Sequence, residues 1–142
     1  MRALTIKQPY ASLIAAGIKQ YETRHFQPRC IQPGDRLLIH AGKSVGAYER
    51  RVFASTLLDP YRAALNMGSL DELPRGVLLC VVRLVSVQPV ADVLPHISRL
   101  EQAVGDYRPG RYAWRLRVSL IIPRSTVRGR QGLWEYPYNE RR

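Results

Sequence analysis

The chain has 142 residues, with 22 Lys+Arg against 11 Asp+Glu, and so a formal charge of +11 at pH 7. An apolar fraction of 46% excludes a disordered or fibrous chain, and no apolar run reaches the ~18 residues of a membrane span. Nineteen of the cations are arginine and three are lysine. That balance favours polyanionic partners, because arginine makes planar phosphate contacts, but a GC-rich genome inflates arginine in the same way.

Taken in chain order, Arg2–Lys7 alternates Leu4 and Ile6 with more polar neighbours and predicts a first strand. Pro9 then suits a first helical turn and Gly17 a helix stop, with Leu13 and Ile14 on the apolar side between them. Lys19 falls in the turn that follows. Gln20–Arg24 predicts a second strand, and Asp35–Ala41 a third, with Leu37 and Ile39 on one face and Leu38 and His40 on the other. Ser44 can cap a helix reaching Leu58, its stripe formed by Val45, Tyr48, Val52 and Phe53 and its wet side by Glu49, Arg50 and Arg51. Asp59–Pro60 starts a further short helix. Gly76–Val87 is apolar on both faces except Arg83 and predicts a central, doubly covered strand.

Pro95–Val104 carries Ile97, Leu100, Glu101 and Val104 at helical spacing, and Gly105 stops it. In Arg111–Ile122 a period of two sets Tyr112, Trp114, Leu116, Val118, Leu120 and Ile122 against Arg111, Ala113, Arg115, Arg117, Ser119 and Ile121. Gly129–Tyr136 reads as a turn into a last short strand holding Trp134. The order is that of an α+β fold: a small curled or barrel-like sheet of about five to six strands with flanking helices. One domain is expected over residues 1–138, with 139–142 as a frayed tail.

Several chemistries lack their motifs. P-loop and G-x-G-x-x-G patterns are absent, which removes nucleotide-triphosphate readings. Cys30 and Cys80, 50 residues apart and without a secretion signal, read as reduced thiols in a cytoplasm. His25, His40 and His96 share no ligand spacing with them, so no metal site or other cofactor is implied.

Three segments gather polar residues beside glycines. In Gly17–Arg24, an extended Gln20–Arg24 would turn Glu22 and Arg24 to one face, with Lys19 able to swing towards them. A solvated Glu–Arg pair beside a surface lysine fits the same pattern. The second segment ends a strand with His40, Ala41, Gly42 and Lys43. In the third, Asp106–Trp114 and Arg128–Trp134 interleave arginines with aromatics, as base stacking beside phosphate contacts requires. Arg108, Arg111, Arg128 and Arg130 are its ligand-facing candidates, while Trp114 falls on the apolar face.

The stretches LTIKQPYASLIAAGIKQYETR, LLIHAGK, GDYRPGRYAW and GRQGLWEY resemble the ASCH domain family, a relative of the PUA domain, over Leu4 to about Tyr136. Its motif Gly-x-Lys-x-x-Glu-x-Arg is matched by Gly17, Lys19, Glu22 and Arg24. The resemblance implies a PUA-like β-barrel whose cleft gathers Lys19, Glu22 and Arg24, with His40 and Lys43 near it and Lys7 and Gln8 entering from the first strand. It also implies a role in binding RNA or a modified nucleotide. Some ASCH-like proteins are amidohydrolases of acetylated cytidine that use a Lys, a Thr and a later Glu. Lys19 matches the lysine, but Glu22 stands at the threonine position and Gly76–Val87 contains no carboxylate.

Two functional expectations follow. As a binding module, the cleft would use Arg24, Lys43, Arg111 and Arg130 on phosphates, Glu22 on a base edge and a tyrosine such as Tyr112 for stacking, with Arg108 nearby. As a small metal-independent hydrolase or ribonuclease, Lys19 would act as a base or an oxyanion donor and Glu22 as general acid/base.

Overall fold

Residues 1–139 are described by a computed structural model. Its framework is a six-stranded curled half-barrel in the order β2-β5-β4-β3-β1-β6. The strands are β1 (Arg2–Ile6), β2 (Tyr21–Arg24), β3 (Arg36–Ala41), β4 (Val77–Pro89), β5 (Tyr112–Thr126) and β6 (Leu133–Glu135). β1 and β3 run parallel, and every other pair is antiparallel. The helices α1 (Tyr10–Ala15), α2 (Ala47–Phe53), α3 (Asp59–Arg62), α4 (Val90–Val93) and α5 (Arg99–Ala103) flank the sheet, so the α+β reading holds.

Alternation along β3 and β4 builds two apolar layers. Leu37, Ile39, Cys80, Val82 and Leu84 join Leu4, Ile6, Trp114 and Leu116 on one side, under α1 residues Ala11 and Ile14. Leu38, Leu78 and Val81 join Ala3, Ile122 and Trp134 on the other. A fully buried leucine or isoleucine contributes about 1.5–3 kcal/mol, so this two-sided burial anchors β3 and β4 at the centre. A separate cluster of Leu13, Val52, Leu58, Met67, Leu70, Leu73 and Val104 ties α1, α2 and α5 together beside the sheet.

Several elements differ from expectation for identifiable reasons. Pro9 precedes α1 as its N-cap, in cis linkage to Gln8. The capping role falls to the Gln8 side chain, whose Oε1 accepts the Ser12 amide at 3.0 Å. The predicted Ser44–Leu58 helix is shorter: Gly46 caps α2, and after Phe53 the Ser55 hydroxyl caps a separate 3₁₀ turn at Thr56–Leu58. Glu49 is not on a wet face; it is 5% exposed and pairs with Lys7 at 3.1 Å, while Tyr48 of the expected apolar stripe is 45% exposed.

The predicted Pro95–Val104 helix is confined to α5, because Ser98 accepts the Glu101 amide and sets the start there. The period of two along β5 breaks down twice. Ala113 is buried against Val90, Val93 and Tyr107. Register shifts at Val81/Val82 and Leu84/Ser86 add twist, and β2 pairs with β5 only from Tyr112 to Arg115. Beyond that β5 is an edge strand, and Leu120 and Ile121 stand exposed. The expected frayed tail lies outside the described residues apart from Asn139. Among the described residues no helix is long and apolar enough to cross a membrane.

Candidate functional site

Gly17, at φ +76°, ends α1 in the left-handed conformation that glycine adopts without strain. The amides of Ile18 and Lys19 then both reach back to the Leu13 carbonyl, at 3.0 and 3.1 Å. This tight turn drives Lys19 inward, where it is 3% exposed. β2 starts two residues later and aligns Glu22 opposite Trp114 and Arg24 opposite Tyr112.

The floor of the resulting cleft is polar and dry. Lys19 Nζ lies 5.6 Å from the Tyr10 ring centroid and 3.8 Å from Glu101 Oε1, an ion-pair distance beyond hydrogen-bond reach. Glu22 Oε1 stands 3.4 Å from Arg24 Nε. Arg24 also donates through a terminal nitrogen to the Thr5 carbonyl at 2.9 Å, which fixes its guanidinium against β1. Four buried side-chain atoms among the described residues have no hydrogen-bond partner: Tyr10 Oη, Lys19 Nζ, Glu22 Oε2 and Arg24 Nε. All four residues line the same cleft.

The cleft comprises two adjoining recesses of ≈ 620 and ≈ 210 Å³, which share Lys7, Tyr10, Glu22, Thr23 and Arg111. The larger is bounded by Phe26, Gly42, Lys43, Gln131 and Gly132, and the smaller by Lys19, Tyr48, Glu49, Gly105 and Asp106. Arg111 is held in place by the Thr23 carbonyl at 2.9 Å and the Asp106 carbonyl at 3.2 Å.

Burial lowers the affinity of Lys19 for its proton, and the nearby Glu22 and Glu101 carboxylates only partly offset this. Burial also raises the Tyr10 phenol, helped by the surrounding negative charge of Glu49 and Glu22, so Tyr10 keeps its proton and can donate it to a ligand. The hydrogen bond from Arg108 holds Asp106 below the ordinary carboxylate range. The site therefore offers donors at Lys19 and Arg24, an acceptor at Glu22 and either role at Tyr10.

The sequence candidates fall into three groups. Lys7, Lys19, Glu22, Arg24, Lys43 and Arg111 come together in the cleft. Gln8 and His40 have other partners. The Gln8 amide donates to Ser12 Oγ and the Pro74 carbonyl at 2.8 and 2.7 Å. His40 Nε2 donates to the Val127 carbonyl at 2.7 Å, and its Nδ1 meets Thr5 Oγ1 at 3.2 Å. Thr5 Oγ1 also accepts the Trp134 indole at 3.0 Å.

Arg108, Tyr112 and Arg130 lie outside the cleft lining. Arg108 clamps Asp106 through bonds of 2.9 and 2.6 Å at a neighbouring depression. Tyr112 packs on the main core, and Arg130 is exposed beside the lining residues Gln131 and Gly132.

Tyr10, Glu49 and Glu101 complete the site although none was a sequence candidate. Glu101 carried a signal in its sequence position, as an acid at helical spacing with Ile97, Leu100 and Val104. This residue of α5 stands beside Lys19. Among the described residues no three His, Cys, Asp or Glu side chains gather as a metal ion would require.

Among solved structures, the ASCH protein from Zymomonas mobilis is similar to this chain at a TM-score of 0.58 and 16% identity, over 96% of this chain and 87% of that one. A serine-to-alanine mutant of it gives 0.57 at 16% identity over 96% and 88%, and a tyrosine-to-phenylalanine mutant 0.56 at 16% over 96% and 90%. At such identity the likeness is one of fold. No curated protein matches the chain. The ASCH domain family model, however, matches residues 4–118, which include Gly17, Lys19, Glu22 and Arg24 as well as β1 to β4. The chain belongs to the ASCH domain family.

Proposed function

We propose that the cleft binds one nucleotide of an RNA, or a modified nucleoside. The observation that carries this reading is the convergence of four buried polar atoms without a hydrogen-bond partner, on Tyr10, Lys19, Glu22 and Arg24, in one cleft. A buried polar group without a partner costs about 1–3 kcal/mol, and a ligand with matching donors and acceptors removes that cost. Glu22 Oε2 suits an exocyclic amine or ring N–H of a base, and Lys19 and Arg24 suit its carbonyl oxygens. Phe26 supplies an apolar surface, and Lys7, Lys43 and Arg111 supply cations for a phosphate. Calorimetric titration with cytidine, N4-acetylcytidine and short RNAs tests the reading. Binding that weakens about tenfold or more with Glu22→Gln supports it, and binding indifferent to Glu22, Lys19 and Arg24 removes it.

A second reading, hydrolysis of an acylated base, is favoured by the lowered proton affinity of Lys19. In that reading a neutral Lys19 takes the proton of a water that attacks the acyl carbon, Glu101 orients the amine, and that proton passes from Lys19 by way of the Glu22 carboxylate to the leaving amine as the C–N bond breaks. Mass spectrometry after incubation with N4-acetylcytidine and with short RNAs tests it. Turnover that survives Lys19→Ala excludes this mechanism.

A further inference from the structure

β3, β4 and β5 place three arginines in register. Arg36 is the Cα partner of Arg83, and Arg83 is the partner of Arg117. Partners across antiparallel strands project from the same face, so the three form one row, and all three are exposed. Arg115 continues the row along β5, exposed and two residues from Arg117. Like charges directly opposite one another oppose sheet formation.

Arg36 has an interaction partner, but at Arg83 and Arg117 local structure does little to offset that repulsion. Arg83 donates to the Gly34 carbonyl, while Arg115 and Arg117 have neither a hydrogen bond nor an ion pair among the described residues. Asp35, beside the row, accepts the Gln32 amide at 2.9 Å. A cation on an open edge strand can serve to block aggregation, and that would account for Arg117. It does not account for Arg83, which sits on β4 with β3 and β5 paired on either side.

The row also has a fixed relation to the cleft. Arg111, which lines the cleft, precedes Arg117 by six residues at the head of the same strand. At about 3.3 Å per residue the separation is about 20 Å, with Arg115 between. About six stacked nucleotides at 3.4 Å each cover that distance.

We propose that the Arg83–Arg117 row, with Arg115, is a second contact for the phosphate backbone of single-stranded RNA, engaged by strands long enough to reach it from the cleft. The proposal rests on the reading that the cleft takes a nucleotide. A register-aligned row matched to a strand leading from that cleft favours a linear polyanion over an anionic membrane surface, which needs no such alignment.

The test is fluorescence anisotropy with labelled 3-nucleotide and 12-nucleotide RNAs across a salt series, using wild type, R83Q/R117Q and R83K/R117K. The 12-mer is expected to bind wild type at least tenfold more tightly than the 3-mer. R83Q/R117Q should lose most of that gain, and its log affinity–log salt slope should fall by about 1.4, for two phosphates at about 0.7 each. R83K/R117K should keep the slope, 3-mer affinity should be unchanged in all three proteins, and Arg99→Gln should have no effect. Circular dichroism melts confirm folding.

Equal 12-mer affinity in wild type and R83Q/R117Q overturns the proposal, as does the absence of any length gain, and either result leaves the cleft reading standing. Binding of the 3-mer that is unaffected by Glu22→Gln removes the cleft reading and, with it, this proposal. Binding to phosphatidylserine vesicles that depends on Arg83 and Arg117, with RNA affinity unaffected, assigns the row to a membrane and overturns the proposal.

Discussion

Glu101 stands 3.8 Å from the Lys19 amine, yet its shorter hydrogen bonds go to backbone: Oε2 accepts the Gln20 amide at 2.9 Å and Oε1 the Tyr21 amide at 3.2 Å, while the Tyr107 hydroxyl donates to Oε1 at 3.5 Å. The carboxylate thus holds the start of β2 in place, and the lysine it faces keeps its donors for something else. In this part of the molecule, one member of a buried pair holds the fold through its hydrogen bonds, and the other makes none among the described residues.

Lys19→Met should therefore separate the two. Glu101 keeps its two amide donors in that variant, so removing a buried amine that makes no hydrogen bond should leave Tm unchanged or raise it by about 3 °C. Ligand affinity should fall about tenfold or more. Glu101→Ala should do the reverse to the fold, costing about 3 kcal/mol in denaturant unfolding. A Lys19→Met protein destabilised as much as Glu101→Ala would show that the pair acts as a single structural unit.

The pH dependence carries a definite sign. Lys19 has its folded-state pKa lowered from 10.5 by burial, so between the lowered value and 10.5 the unfolded chain binds the proton and the folded protein does not. Stability from this group must therefore rise with pH over that window. Chemical denaturation of wild type and Lys19→Met at pH 7, 8 and 9 should show the variant's advantage shrinking as pH rises. An advantage independent of pH would contradict the assignment.

His40 gives the opposite end of the scale. Its proton affinity is lowered mainly by burial, with Lys43 adding to the effect and the Val127 hydrogen bond opposing it. Below the ordinary 6.5 the unfolded chain takes up a proton that folded His40 refuses, so stability falls as pH drops from about 6.5. His40→Gln should be less stable at pH 7, by about 1–3 kcal/mol for the lost Val127 and Thr5 contacts, and should show a flatter decline between pH 6.5 and 5. Melts of both proteins over that range provide the comparison.

Gly105 makes a tight backbone approach to the site. A Cβ there would stand 2.7 Å from Tyr107 Cε2 and 3.0 Å from Lys19 Nζ. Gly105→Ala should destabilise by about 1–3 kcal/mol and weaken ligand binding by pushing Lys19 from its position. Stability lost with affinity intact would place all the accommodation on Tyr107.

Periodicity made much of this molecule legible. The parity of Leu37, Leu38, Ile39 and His40 placed each on its observed face, and the doubly apolar run after Gly76 marked the central strand β4. The bend at Gly17 was legible from residue types, whereas spacing alone left Lys19, Glu22 and Arg24 as a solvated group, and only the resemblance to the family motif implied that they share a cleft. Contacts between residues far apart in sequence were beyond such reasoning. Glu49 looked solvent-facing until Lys7, 42 residues earlier, came to lie against it. His40 looked available until β5 brought the Val127 carbonyl within 2.7 Å. The β5 register shifts left no trace in an alternating sequence, and Leu120 was misplaced on the covered face as a result.

The lining residues of the cleft come from β1, the α1 entrance, β2, the loop after β3, the α5 exit and Gln131–Gly132 just ahead of β6. No fragment of the chain carries enough of them to hold a ligand. Pairings between distant segments form slowly, because chain closure costs entropy before contact repays it. The site is thus expected to complete late in folding, when residues 131–135 dock against β1. Ligand retention in a refolding experiment should then trail the recovery of secondary structure, and it marks the moment at which both ends of the chain have met.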